Sequence, residues 1–325
     1  MEKQLCAYAL RKILEEFTDE TKTIRISWII ELLETRYDMK VKRWKIYATI
    51  KQLESLGEKI EYDSSQKGYR LKSRLFTKGE ILMLCNAIHA SNFIPHEESS
   101  YLISKLISTL SRNDQKEFND AVFLPNNKKT DNDELMANIA AASTAITRGK
   151  KLSFYYMHYI IKNGKADLDI RRNEQITIEP RYICYVDGRP YLIVQGGREP
   201  GYMHYRLDRM SFAEVTDEDC IIPFDRVDAY QYANNKLFMF TGRDVHVTIK
   251  CNKRVIDAMV DLFGKDIFFV KTDENHYTFS VVSTDTGIIF LAQQYLDAIE
   301  VIAPEEIRIK TGKAISQAAN MYSRR

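Results

Sequence analysis

Hydrophobic periodicity changes twice along this chain, and each change limits the fold. Residues 3–118 carry apolar side chains at helical spacing, residues 152–215 break into short β-prone runs, and from about residue 244 strands and helices alternate. A chain of 325 residues is too long for one small core and suits two or three domains. The three regimes predict an α+β multidomain protein rather than one sheet or one bundle.

The first regime predicts a helix over residues 3–17, with Leu5, Ala9, Ile13 and Phe17 on its core face. A second helix, SWIIELLETRY, starts at Ser27 as its N-cap. After the link Asp38-Met39-Lys40 comes a third, VKRWKIYATIKQLESLG, stopped by Gly57. EKIEYDSSQKGYRL then reads as a hairpin around a polar turn. Helix, helix, turn, helix, hairpin is the order of a winged helix-turn-helix, placed at residues 1–74.

Charge singles out the same region. The whole chain has 47 basic and 45 acidic side chains, so its net charge of +2 points to no partner. Residues 40–72, however, hold nine basic side chains against four acidic ones, the footprint of a nucleic-acid module. In the third helix, Ile46, Ile50 and Leu53 share the core side. Trp44, Tyr47 and Lys51 lie opposite, flanked by Lys42, Arg43 and Lys45. Aromatics and cations on the outer face suit a helix in the major groove of double-stranded DNA, with Lys67, Tyr69 and Arg70 of the wing on phosphates. The bland alternative is a solvated basic helix whose Trp44 packs on another domain.

Residues 75–132 read as a helical connector and linker. FTKGEILMLCNAIHASNF and EESSYLISKLISTLSRNDQKEF are two helices with core stripes at Met83, Ala87, Leu102, Leu106 and Leu110, and LPNNKKTDND is a linker. In the second regime LSFYYMHYII, QITIEP, YICYV, PYLIVQG, MHYRL and MSFAEVT predict five or six strands of a small bent sheet or barrel, placed at residues 133–220. Asp187-Gly188 is a strong hairpin signal there. Arg171, Arg172, Arg181, Arg189, Arg198, Arg206 and Arg209 crowd this region, while no lysine occurs from 166 to 235. Arginine supplies a planar fork for phosphate or carboxylate; the alternative is that at least half of them pair with Glu174, Glu179, Asp187, Glu199 and Asp208 as surface ion pairs. The last block, residues 221–325, reads strand, helix, strand, strand, helix, strand, helix, a ferredoxin-like βαββαβα order.

Other functions are disfavoured. No stretch approaches the roughly 18 apolar residues of a membrane span. The start MEKQLCAYALRKILEEF is an amphipathic helix rather than a signal peptide, so a cytoplasmic location is expected. Cys6, Cys85, Cys184, Cys220 and Cys251 form no CxxC pair and read as reduced structural thiols; no metal and no cofactor is expected. GxxxxGK[ST], GxSxG, HExxH and GxGxxG are all absent, and His158 and His204 fit hydrogen-bonded barrel residues, so no catalytic residue is named.

Three blocks resemble the bacterial WYL-domain transcriptional regulators. VKRWKIYATIKQLESLGEKIEYDSSQKGYRL is similar to their winged-helix segment, LSFYY with EPRYICYVDGRPYLIVQGG and YRLDRM to the WYL domain, and FLAQQYLDAIEVIAPEEIR to the C-terminal WCX-type extension. The resemblance implies a DNA-binding winged helix, an Sm-like β-barrel sensor and a ferredoxin-like extension used in homodimer contacts. It also implies that a single strand or nucleotide-like anion at the sensor alters DNA binding. The name-giving tripeptide falls at Pro190-Tyr191-Leu192, with proline in place of tryptophan. Ala48-Thr49 replaces a common Arg-Asp pair, and Trp44 stands where relatives often have arginine. The implied effector residues are Tyr156, Arg181, Tyr191, Arg206 and Arg209. Two functions follow as expectations: a dimeric regulator whose operator binding responds to an anionic ligand, or a single-strand-binding accessory protein of a phage-defence system.

Overall fold

In the computed structural model, which describes residues 2–121, 129–170, 174–195, 202–222, 232 and 235–323, the chain forms two compact units, residues 1–133 and 134–325. The first begins with α1 (Glu2–Phe17), α2 (Ile26–Tyr37) and α3 (Arg43–Ser55), followed by a hairpin of β1 (Ile60–Asp63) and β2 (Gly68–Leu71). Leu10, Ile13 and Leu14 of α1 meet Ile29 and Leu33 of α2, Ile46, Ile50 and Leu53 of α3, and Leu71 of β2. Each such side chain contributes about 1.5–3 kcal/mol by leaving water. The α1 stripe centres on Cys6, Leu10, Ile13 and Leu14, which leaves Leu5 on the solvent side instead of in the core. Ser27 does not cap α2; the cap position is Arg25, and it makes no side-chain cap bond.

The hairpin is held by two local devices. The Asp63 carboxylate accepts from the backbone N–H of Ser65 at 2.8 Å and of Gln66 at 3.1 Å, and Lys67 then takes the left-handed conformation at φ 53°. Gly68 admits no side chain, because a Cβ there would lie 2.8 Å from the Thr23 Cβ. That close approach lets Ile24 bridge Tyr69 as a third short strand.

The connector comprises α4 (Lys78–Ala90), α5 (His96–Ile107) and α6 (Arg112–Ala121), three helices where the spacing predicts two. Between α5 and α6 the hydroxyls of Ser108 and Thr109 donate back to the carbonyls of Lys105 and Leu106, each at 2.7 Å. Ser111 Oγ then accepts from the Asp114 N–H and opens a new helix. Here the buried positions are Ile81, Cys85, Leu110 and Phe118, while Met83 and Ala87 face solvent. A capping box between Thr77 and Glu80 sets the start of α4. Glu16 of α1 pairs with Arg36 of α2 at 2.7 Å and with Arg112 of α6, and both guanidiniums flank the Phe17 ring at 5.0 and 4.8 Å.

The second unit opens with α7 (Leu135–Arg148), ended by Gly149 at φ 63°. Six strands follow: β3 (Lys150–Lys162), β4 (Lys165–Ile170), β5 (Ile176–Val186), β6 (Arg189–Gln195), β7 (Tyr202–Arg206) and β8 (Met210–Asp219). Their order is β4-β3-β5-β6-β7, with β8 also pairing β3. Asn163-Gly164 and Asp187-Gly188 all have positive φ, the primed-turn geometry that matches strand twist. Register shifts between Pro180 and Tyr182 and within β3 bend the sheet into a half-barrel. QITIEP and YICYV are one bulged strand rather than two, and β4 is a strand the periodicity did not indicate. Asn138 of α7 donates to the carbonyls of Leu207 and Met210, at 3.2 and 2.8 Å, where the sheet turns its corner.

The rest of this unit is β9 (Asp244–Asn252), α8 (Ile256–Phe263), β10 (Val270–Lys271), β11 (His276–Thr284), α9 (Asp285–Gln294), β12 (Ile299–Ala303) and α10 (Glu305–Ser323). The sheet order is β10-β11-β9-β12, every neighbour antiparallel. Val247, Ile249, Cys251, Phe279, Ile288, Leu291 and Ile307 fill its core. The five cysteines are free thiols. Among the described residues there are ten α-helices in a mixed α/β chain, and none is long and apolar enough to cross a membrane.

Candidate nucleic-acid and ligand interfaces

Helix α3 buries Ile46, Thr49, Ile50 and Leu53, which share one side at helical spacing. The opposite side carries Trp44, 66% exposed, and Tyr47, 46% exposed. Lys42, Arg43, Ala48 and Lys51 are exposed beside them, and Lys45 is half-buried. Lys42 occupies the N-cap position without a side-chain cap bond, and the first turn holds no acid. With no side-chain cap on that turn, the helix N-terminus therefore adds to the positive field of the lysines. Among the described residues no ion pair involves Lys42, Arg43, Lys45, Lys51 or Lys67.

The wing residues separate. Lys67 stands exposed at the turn. Arg70 is taken up internally: it donates to Glu61 at 2.8 Å and to the Glu20 carbonyl at 2.7 Å, with Asp63 at 3.9 Å. Tyr69 is half-buried against the helical core and meets Tyr62 at 5.0 Å. Of the three residues expected on a wing, Lys67 alone is exposed, while Arg70 and Tyr69 brace the hairpin.

In the second unit, β7 ends at Arg206, a single 3₁₀ turn spans Leu207–Arg209, and β8 begins at Met210. At this corner Arg206 grips Asp208 with two bonds, Nε to Oδ1 at 2.9 Å and Nη2 to Oδ2 at 2.5 Å. The Asp208 side chain is 2% exposed. Burial works against the Arg206 charge, yet the hydrogen bonds to Asp208 carry its pKa above the ordinary value. Tyr156 of β3 accepts from the Arg206 N–H at 3.2 Å, and burial raises its phenol pKa. Around it Phe154, His158 and Tyr205 pack edge-to-face, the Tyr156–Tyr205 and Tyr156–His158 centroids each 5.2 Å apart. Arg209 stacks on Tyr159 at 5.4 Å, and its buried Nε has no hydrogen-bond partner among the described residues.

Tyr156, Arg206 and Arg209 therefore come together, but two further sequence-based candidates stand apart. Arg181 is 6% exposed and paired with Glu179 at 2.8 Å. It donates to the Ile222 carbonyl at 2.7 Å while Glu179 accepts from the N–H groups of Ile221 and Ile222, so the pair fastens the β5 bulge to the segment after β8. Tyr191 lies opposite Arg206 in register, yet it is buried with Ile193 and Met239. Its edge meets His204, whose Nδ1 lies 2.8 Å from the Tyr232 hydroxyl. Burial pushes the His204 pKa below its ordinary 6.5.

Arg171, Arg172 and Arg198 lie outside the described residues. Asp208 and Glu179 do pair with arginines of this region, as the ion-pair alternative expects, but as buried partners rather than surface ones; the sequence does not single out Tyr159 and Tyr205. Among the described residues no cluster of His, Cys, Asp and Glu could hold a metal. A cleft of about 510 Å³ opens between the β5–β6 turn at Val186 and Asp187 and the C-terminal elements at Phe238, Phe263 and Val282.

A model of the WYL domain matches residues 137–215, which run from within α7 into β8. No curated protein matches the chain. Among solved structures it is similar to the proteasome accessory factor B/C (PafBC) of Arthrobacter aurescens, at 14% identity and a TM-score of 0.28, covering 99% of this chain and 49% of that one. It thus spans about half the length of that protein. It is also similar to a protein described as CRISPR Cas-related, at 12% identity and a TM-score of 0.38, covering 98% of this chain and 92% of the other. Both likenesses are remote.

Proposed function

We propose that this chain is a DNA-binding transcription regulator, without catalytic activity, whose WYL domain binds an anionic nucleotide-like ligand or a single strand and so alters operator binding. The observation that carries the reading is the α3 face: exposed aromatics among cations that have no ion-pair partner among the described residues, at a helix start without a side-chain cap. Residues 1–74 act as the winged helix-turn-helix, with α3 in the major groove and Lys67 on a phosphate. The sheet order β10-β11-β9-β12 supports a ferredoxin-like reading of the C-terminal elements, which we assign to pairing two copies. A two-fold dimer reads half-sites about 34–36 Å apart.

The WYL domain match and the Arg206–Asp208–Tyr156–Arg209 corner support the sensor role. A phosphate there would exchange with Asp208 for the Arg206 fork and satisfy the Arg209 Nε. Such a ligand acts only by binding one placement of the DNA-reading heads better than another.

The test is selection of duplexes from a random-sequence pool, then fluorescence anisotropy on the selected duplex with and without a short single-stranded oligonucleotide. Selective duplex binding that changes on adding the oligonucleotide is expected. Tight single-strand binding with no selected duplex would overturn this reading. It would favour the accessory-protein role, which the tyrosine cluster around Tyr156 could serve by stacking bases.

A further inference from the structure

The outward centre of α3 has a composition that limits which bases it can read, and this rests on the major-groove reading above. At about 100° per residue, the buried Ile46, Thr49, Ile50 and Leu53 define one direction. Trp44, Ala48 and Lys51 lie opposite, with Tyr47 at their side. All four are exposed.

This stripe is apolar in its N-terminal half and offers donors rather than acceptors. The Trp44 indole and the Lys51 ammonium can only donate, and Ala48 offers a methyl. Carboxamides, which pair with adenine N6 and N7, are missing from it, and so are the carboxylates that accept from cytosine N4. Glu54 lies farther along, in the last turn, and Gln52 is half-buried. Donors alone also suit guanine O6 and N7, but only thymine sets an acceptor, O4, beside a C5-methyl, the combination that donors next to a bare apolar surface match. The cations close by, none of them in an ion pair among the described residues, hold the helix against the phosphates without selecting sequence.

We infer that Trp44, with Ala48, is the specificity-determining contact of α3, and that it reads the 5-methyl group of thymine. Trp44 is 66% exposed and lies outside the core, so changing it leaves the fold intact.

The experiment uses the full-length protein and the duplex selected from a random pool. Each thymidine is replaced in turn by deoxyuridine, which removes the methyl and leaves base pairing and hydrogen-bonding groups unchanged. At one or two positions per half-site the affinity should fall about fourfold, the effect of one buried methyl. Trp44→Ala should weaken the parent duplex and erase the deoxyuridine effect at those same positions. Trp44→Phe should keep part of it, which separates apolar contact from a structural role.

If a duplex is selected but no deoxyuridine position matters, or Trp44→Ala leaves the methyl effect in place, the inference fails while the regulator reading survives. If no duplex is selected, both fail together.

Discussion

On α3 the cations Lys42, Arg43 and Lys51 stand exposed with no ion-pair partner among the described residues, whereas in the segment that matches the WYL domain Arg206 and Arg181 are each committed to a buried acid. Under the proposed function, the contrast follows from what each surface would meet. A polyanion supplies many charges at once and releases counterions, so open lysines and arginines on a rigid helix suffice. A small ligand supplies few charges and must outcompete an internal partner, which makes its binding a rearrangement rather than an addition.

The sharpest way to break this comparison is to remove the internal partner. Asp208→Ala leaves the buried Arg206 guanidinium without its carboxylate and should destabilise the second unit by about 3 kcal/mol. Replacing both together, Arg206→Met with Asp208→Leu, should cost far less. Urea denaturation measures each, and equal losses would show that the pair is not acting as a unit. Arg43→Ala with Lys51→Ala should change stability by no more than about 0.5 kcal/mol, because neither residue has an ion-pair partner among the described residues.

Acidity sharpens the comparison next. His204 is held neutral inside the second unit, its pKa below 6.5, while the unfolded chain titrates near the ordinary value. Above pH 6.5 neither state gains a proton there and stability is flat. Below it the unfolded state takes up the proton first, so stability falls with pH until the folded pKa is reached. His204→Gln should flatten that part of a stability-against-pH curve, and an unchanged slope would assign the acid sensitivity elsewhere.

The smallest effect concerns Cys184, in the cluster beneath Tyr191. Burial pushes its thiol up to about 11, so roughly one molecule in a thousand is thiolate at pH 8. Iodoacetamide should label Cys184 in the native protein much more slowly than in urea, as followed by mass spectrometry. Equal rates would mean that this cluster opens readily.

How much of this was legible in the sequence depended on the range of the interaction. Asn163-Gly164 and Asp187-Gly188 mark their turns because the φ requirement is local. Ile46, Ile50 and Leu53 show the inner face of α3, and with it the outer one, through spacing alone. Arg181 misled, because its partner Glu179 and its anchor at Ile222 depend on the β5 bulge at Pro180, which periodicity does not register. Arg70 misled similarly: Glu61 is its register partner across the hairpin, and cross-strand pairing turns a wing cation inward. In the α1 stripe, one step of helical phase separated the exposed Leu5 from the buried Cys6.

The central contrast is tested most directly by the salt dependence of duplex binding, measured by anisotropy for the wild-type protein, Arg43→Ala/Lys51→Ala and Arg206→Ala. Each phosphate contact contributes about 0.9 to the slope of log affinity against log salt. The double variant should therefore bind about tenfold more weakly near physiological salt, with a slope reduced by about two. Arg206→Ala should keep the wild-type slope and lose the response to the single-stranded oligonucleotide. If Arg206→Ala flattens the slope, or the double variant leaves it unchanged, the assignment of open and closed cationic surfaces is wrong.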